Sequence, residues 1–178
     1  MNRAIILAVA AVFLSSPVWA QSVGEKTGVN SALGITPSTE DFVKEAAMSD
    51  MTEIEAAKIA QQKGNDQEKM FAGQMITDHT QTSTELKALV TSGDVKAELP
   101  AALDSSAQKS IDSLNTAKAE DFAATYDPMQ VDAHKDAVSL FQRYADGGDN
   151  PKLKDWAAKT LPHLQHHLDM ANGLSKAK

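Results

Sequence analysis

The chain has 178 residues, no cysteine and a formal net charge of −7. The absence of cysteine excludes disulfide bonds, thiolate zinc sites, iron–sulfur clusters and nucleophilic thiols. After Arg3 the only arginine is Arg143, and the chain has no block of basic residues that would attract nucleic acid or anionic lipid. We therefore expect no nucleic-acid partner.

Residues 1–20 have the pattern of a secretory signal peptide. Arg3 supplies a basic start, an apolar run covers residues 4–14, and small residues precede a cleavage position between Ala20 and Gln21. A transmembrane helix needs about 18 apolar residues, and neither this run nor any later segment reaches that length. The mature chain should therefore have a net charge of −8, no transmembrane segment and a periplasmic or secreted location.

The mature chain divides into a leader and one domain. Residues 21–37 mix glycine, serine and threonine without periodicity, which predicts a flexible leader. Residues 38–178 form a helical-bundle domain, because apolar residues recur every three or four positions and no run alternates as a strand does. A domain of about 140 residues is long enough to bury a hydrophobic core without cross-links. The predicted fold class is therefore all-α.

The first two predicted helices form an antiparallel hairpin. The first covers roughly 39–63 and ends at Gly64. The second covers roughly 66–92 and opens with Asn65 and Glu68, which are spaced as a capping box. A connection this short between two helices brings them side by side in opposite directions.

Two further helices are predicted in the middle of the chain. A short third helix covers roughly 101–117, and a fourth begins near Glu120. Pro128 interrupts the fourth, because a proline ring clashes with the carbonyl group four residues earlier. Either the helix restarts with Asp127 as its N-cap, or it continues through the proline with a kink. We favour the restart.

The last helix is predicted to pair with the fourth. Gly147 and Gly148 end the fourth helix, and Asn150 with Pro151 begins the last one. Pro162 predicts a kink in this final helix. The short connection predicts a second antiparallel hairpin.

Four polar residues occupy positions in the apolar stripes of four different helices: Glu53, His79, His134 and His167. Buried charged or polar groups normally need partners. Counting about 1.5 Å per residue from each turn places Glu53 and His79 within about 5 Å of the same height, and likewise His134 and His167. The four side chains are therefore candidates for one buried site.

Such a site permits two interpretations. Three imidazoles and one carboxylate suit a single Zn²⁺ ion, and also Cu²⁺ or Fe²⁺. Asp50 and Asp78 could then accept hydrogen bonds that fix the imidazole tautomers. Met75 and Met170, near two of the histidines, would suit cuprous copper, although methionine also fills gaps in many cores. Alternatively, the four residues satisfy one another by hydrogen bonds and fix the helix register without an ion.

Several motifs occur in order along the domain. They are Asp41-Phe42…Ala46-Ala47…Glu53; Phe71-Ala72…Met75-Ile76-Thr77-Asp78-His79-Thr80; Phe122-Ala123-Ala124-Thr125-Tyr126…Gln130-Val131…His134; and Leu161-Pro162-His163-Leu164-Gln165-His166-His167-Leu168. From about Asp41 to Leu174 the chain resembles the bacterial domain-of-unknown-function family 4142, exported proteins often labelled predicted outer membrane proteins. The resemblance implies a ferritin-like four-helix bundle with an extra short helix in the crossover connection. It implies no particular activity.

A ferritin-like fold does not by itself predict di-iron chemistry. Di-iron bundles place a glutamate three residues before each ligating histidine. Here those positions hold Ile76, Val131 and Leu164, so we expect no di-iron site. The chain also lacks a glycine-rich phosphate loop and a serine elbow, and we favour a protein without enzymatic activity.

Two functions follow from the sequence. One is an exported metal-binding protein that holds a divalent ion for storage, buffering or stress tolerance. The other is a metal-free structural or interaction protein of the cell envelope, with an envelope protein as its partner and a buried His–Glu polar network in its core.

Overall fold

Helices account for all the regular structure in residues 28–174, the part of the chain that this computed structural model describes. They are α1 (Val29–Ala32), α2 (Thr39–Lys63), α3 (Asp66–Thr91), α4 (Ser105–Thr116), α5 (Phe122–Gly147) and α6 (Pro151–Leu174). The predicted all-α class is thereby confirmed. The predicted signal peptide lies outside the described residues. Within them, no helix combines the length and the apolar character needed to cross a membrane.

Helices α2 and α3 form the first hairpin, and their connection consists of Gly64 and Asn65. The side-chain oxygen of Asn65 accepts hydrogen bonds from the backbone N–H groups of Gln67 and Glu68, at 2.9 and 3.0 Å. The Glu68 carboxylate accepts one from the Asn65 N–H group, at 2.8 Å. This confirms the predicted capping box, which satisfies the free N–H groups at the start of α3. Helices α5 and α6 form the second hairpin.

The core divides into two apolar clusters, one at each end of the bundle. The first cluster joins the starts of α2 and α6 to the ends of α3 and α5, and includes Phe42, Leu86 and Trp156. The second joins the opposite ends of these helices and includes Phe71. Helices α2 and α6 therefore run in one direction and α3 and α5 in the other, so the connection 92–121 spans the length of the bundle. A long crossover of this kind is typical of ferritin-like bundles, and the predicted fold is confirmed.

The crossover carries the short helix α4, which begins later than the sequence pattern predicted. The predicted range was 101–117, but the helix starts at Ser105 because Asp104 is its N-cap. The Asp104 carboxylate accepts hydrogen bonds from two N–H groups of the first turn, both at 2.9 Å. At the other end, Lys63 of α2 donates hydrogen bonds to three backbone carbonyl groups in the last turn of α4 and just beyond it. These contacts fix α4 against the first hairpin.

The predicted restart of the fourth helix at Asp127 was wrong. Helix α5 is continuous from Phe122 to Gly147 and contains Pro128. Pro128 and Ala124, whose carbonyl group loses its partner, both lie on the exposed side of the helix. Water can hydrogen-bond that carbonyl group, so the proline breaks one hydrogen bond without ending the helix. Helix α6 likewise continues through the exposed Pro162.

A helical turn, α1, lies within the segment predicted as a flexible leader, and the sequence pattern did not predict it. The hydroxyl groups of Ser31 and Ser139 are 2.6 Å apart, and Arg143 donates to the carbonyl group of Ile35 at 2.5 Å. Both contacts tie this segment to α5.

Candidate metal centre

Three histidines from three helices meet between the two apolar clusters. His79 of α3, His134 of α5 and His167 of α6 each offer one ring nitrogen, and these nitrogens lie within 4.8 Å of one another. Each of the three histidines is at most 2% exposed. An ion about 2.1 Å from three nitrogens in tetrahedral geometry holds them about 3.4 Å apart. Small rotations of the rings would therefore bring all three nitrogens to one ion.

Two of the histidines are oriented by carboxylates. His79 Nδ1 donates to Asp50 Oδ1 at 2.8 Å, and His167 Nε2 donates to Asp78 Oδ2 at 2.8 Å. The same oxygen of Asp50 also accepts a hydrogen bond from Thr82 at 2.9 Å. Both aspartates had been predicted to fix imidazole tautomers. The structure shows which histidine each aspartate contacts.

The third histidine is oriented by backbone. His134 Nδ1 lies 2.8 Å from the carbonyl oxygen of Gln130, one turn earlier in α5. A carbonyl oxygen only accepts hydrogen bonds, so this ring nitrogen carries the proton. In all three rings the outer nitrogen is thus occupied, and the inner nitrogen is a lone-pair donor when the ring is neutral. Metal-bound histidines in proteins have this arrangement.

The three inner nitrogens have no hydrogen-bond partner among the described residues. They are His79 Nε2, His134 Nε2 and His167 Nδ1, all fully buried. Leaving a buried polar atom unsatisfied costs about 1–3 kcal/mol. A ligand bound by all three nitrogens would remove this cost.

The pKa values of the three histidines differ because their surroundings differ. Burial opposes protonation of His79, but the hydrogen bond and negative charge of Asp50, together with Glu53, raise its pKa above the ordinary value. Burial lowers the pKa of His134 despite the attraction of Glu53. Burial and the neighbouring histidines lower the pKa of His167 to about 4, although Asp78 acts in the opposite direction. His134 and His167 are therefore neutral at pH 7 and available as ligands.

Glu53 lies beside this group but is not part of it. The residue is 1% exposed, and neither carboxylate oxygen has a hydrogen-bond partner in the described part of the chain. Its charge acts on both His79 and His134. The group of ligand atoms within 4.8 Å contains the three histidines without Glu53. Direct coordination by Glu53 stays a prediction.

Comparison with models of protein families identifies the family of this chain. Residues 24–174 match the model of a domain of unknown function, DUF4142. The chain belongs to this family. No curated protein and no solved structure gives a significant match.

Two pockets of the DUF4142 domain lead towards the centre from opposite sides. A pocket of about 260 Å³ lies between α3 and α6, and His79, His167 and the exposed His163 are among its lining residues. A pocket of about 580 Å³ lies among α2, α4 and α5, and Glu53 is part of its lining. The centre is thus buried, with two of its histidines in the lining of the smaller pocket and Glu53 in the lining of the larger one.

The sequence pattern assigned no role to Gln130, which is fully buried near the centre, as is Tyr126 two turns before His134. The Tyr126 hydroxyl and both polar atoms of the Gln130 amide have no hydrogen-bond partner among the described residues. Their spacing from His134, at four and eight residues, was the available signal, since it puts them on the same helix face. Met75, proposed for cuprous copper, packs in the second apolar cluster, with Met170 against it.

Proposed function

We propose that this protein binds one divalent transition-metal ion through His79, His134 and His167. The observation that carries the proposal is the convergence of three buried ring nitrogens that have no other partner. Asp50, Asp78 and the Gln130 carbonyl group hold the rings with these nitrogens facing inward. The protein acts after export, in the periplasm or outside the cell, where it stores or buffers the ion or supports stress tolerance.

The alternative function, a metal-free envelope protein, predicts a core whose polar groups are paired with one another. In a self-satisfied polar network each buried donor or acceptor is paired within the protein. Here the three inner nitrogens and both oxygens of Glu53 are unpaired among the described residues. Three unsatisfied nitrogens alone would cost about 3–9 kcal/mol, a large share of the stability of an ordinary domain. The metal-binding function therefore accounts better for this core.

The donor set narrows the choice of ion. Three neutral imidazoles are typical ligands of Zn²⁺, Cu²⁺ and Fe²⁺, whereas Mg²⁺ and Ca²⁺ prefer oxygen ligands. The residues three positions before the histidines are apolar, so the di-iron motif is missing. A single ion of zinc, copper or iron fits the site.

Metal analysis of the exported protein tests the proposal. Untagged protein is purified from the periplasm without chelator, its mass establishes the mature N-terminus, and its metal content is measured by plasma mass spectrometry. We expect close to one ion per chain in the wild type and none in the H79A/H134A variant. The H163A/H166A variant is the matched control, because both of its histidines are exposed. If the wild type contains no ion and takes up neither zinc, copper nor iron, the proposal is wrong and the metal-free envelope function replaces it.

A further inference from the structure

A group of polar side chains lies next to the histidines without any assigned use. It consists of Glu53 of α2 and of Tyr126 and Gln130 of α5, which are 1%, 0% and 0% exposed. None of their five side-chain nitrogen and oxygen atoms has a hydrogen-bond partner among the described residues. We call these three residues the polar chamber. Like the histidine nitrogens, its buried polar atoms require a hydrogen-bonding partner.

The polar chamber borders the histidine group on the side of α2 and α5. Tyr126, Gln130 and His134 follow one another at intervals of four residues, so they share one face of α5. Glu53 acts electrostatically on Tyr126 as well as on His134. Glu53 also lines the 580 Å³ pocket among α2, α4 and α5, which places it on the side of α2 towards α5. On the opposite side of the group, His167 is occupied by its hydrogen bond to Asp78 of α3.

A water molecule has the chemistry that this chamber lacks. It can give one lone pair to a metal ion, donate two hydrogen bonds and accept another. The Glu53 carboxylate can only accept a hydrogen bond, the Tyr126 hydroxyl can donate one, and the Gln130 amide can do either. A second cation would suit Glu53 but could accept no hydrogen bond from Tyr126 or Gln130, whereas the water molecule can accept one.

We propose that the metal ion keeps an open fourth coordination position facing α2 and α5, where Glu53, Gln130 and Tyr126 hold an exchangeable water molecule. This inference rests on the proposed function, because it requires an ion bound by the three histidines. It assigns Glu53 to the water molecule instead of to the ion, in accord with the close group formed by the histidines alone. The 580 Å³ pocket that reaches Glu53 provides the path for exchange.

An open position separates two classes of zinc-type sites. Structural sites have four protein ligands, whereas sites that react with or bind small molecules have three and keep one position for solvent. The polar chamber puts this protein in the second class. Its ion accepts small ligands that displace the water, with a preference for neutral hydrogen-bond donors because an anion is repelled by Glu53.

Cobalt substitution tests the open position. The mature chain is loaded with Co²⁺, and its visible absorption is recorded during titration with azide, for the wild type, E53Q and E55Q. We expect one cobalt per chain in all three proteins. E55Q should match the wild-type affinity within about threefold, whereas E53Q should bind cobalt about tenfold more weakly, because it loses a negative charge beside the cation but no ligand. Azide should alter the spectrum of each protein and bind at least about tenfold more tightly to E53Q, where the repelling charge is gone. Glu55 is the matched control because it lies on the same helix and is exposed.

The outcomes are distinct. If E53Q loses cobalt affinity by more than about 100-fold while E55Q does not, Glu53 is a metal ligand and the open position does not exist, although the proposed function stands. If cobalt binds but azide changes none of the spectra, the ion has no open position, although the proposed function stands. If the wild type binds none of cobalt, zinc, copper and iron, the proposed function itself is wrong. If E53Q does not fold, the open position can still be tested on the wild type alone. Cu²⁺-loaded wild-type protein should accelerate the relaxation of bulk water protons. A relaxation rate no higher than that of the zinc-loaded protein would overturn the open position.

Discussion

Asp50 offers the sharpest single test of how the histidines are held. This residue is 6% exposed, and its Oδ1 accepts hydrogen bonds from His79 at 2.8 Å and from Thr82 at 2.9 Å. The D50N variant keeps the shape and one acceptor oxygen, so the bundle should still fold. It removes the negative charge that makes the His79 nitrogen a better metal ligand.

The expected size of the effect follows from the kind of hydrogen bond that changes. A hydrogen bond to a charged group contributes about 1.5–3 kcal/mol, and a neutral one about 0.5–1.5 kcal/mol. The midpoints of these ranges differ by about 1.3 kcal/mol, which corresponds to a nearly tenfold loss of metal affinity, at the lower end of the 10- to 100-fold typical of outer-sphere partners of metal-bound histidines. For D78N we expect a smaller loss of about threefold, because the side chain of Asp78 is 24% exposed, against 8% for Asp50, and water screens its charge.

Competition between the protein and a chromophoric chelator for Zn²⁺ at pH 7.5 measures both variants, with E55Q as the control. The order of affinities should be wild type and E55Q first, then D78N, then D50N. A D50N affinity equal to that of the wild type would refute the reasoning, because His79 would then not depend on its carboxylate. A larger loss in D78N than in D50N would contradict the argument from burial.

Three further predictions concern the metal-free protein. Its stability should fall as the pH drops from about 6.5 to about 4, because the lowered pKa values of His134 and His167 make the unfolded chain take up protons that the folded chain does not. His167 alone should contribute roughly 2–3 kcal/mol, measured by denaturant unfolding at the two pH values, and H167Q should lose less over the same range. The L86A variant should lose about 2–5 kcal/mol at constant pH, since Leu86 is fully buried and its removal leaves a cavity; a loss below about 1 kcal/mol would argue against the described packing. The K63M variant should lose about 1–3 kcal/mol and show faster hydrogen exchange in α4, because three carbonyl groups at its end lose their donor; unchanged exchange in α4 would contradict this role.

Local signals in the sequence predicted most of the fold. The capping box of Asn65 and Glu68 placed the start of α3 correctly, because both hydrogen bonds form within four residues. The predicted restart at Pro128 failed for the opposite reason. Whether a helix tolerates a proline depends on whether water reaches the carbonyl group that loses its partner, and the exposed position of Ala124 is a property of the assembled bundle.

The burial of Glu53 and of the three histidines was predictable from the sequence, but which aspartate contacts which histidine was not. Helical periodicity put Glu53 and the three histidines inside the bundle, and counting from the turns gave their heights. The crossed pairing of Asp78 with His167 was not predictable, because it depends on how far α3 and α6 are rotated about their own axes. Gln130 was assigned no role from the sequence, because a buried glutamine has the same helical spacing as an apolar residue.

The crossover divides the histidines unequally between the two halves of the chain. His79 belongs to the hairpin before residues 92–121, whereas His134 and His167 belong to the hairpin after them. Neither hairpin alone supplies all three imidazoles of the centre. An ion bound at this centre would therefore act as a clasp between two units joined by a single stretch of chain, and a cut in that stretch would leave two fragments whose reassembly could be followed by the recovery of metal binding.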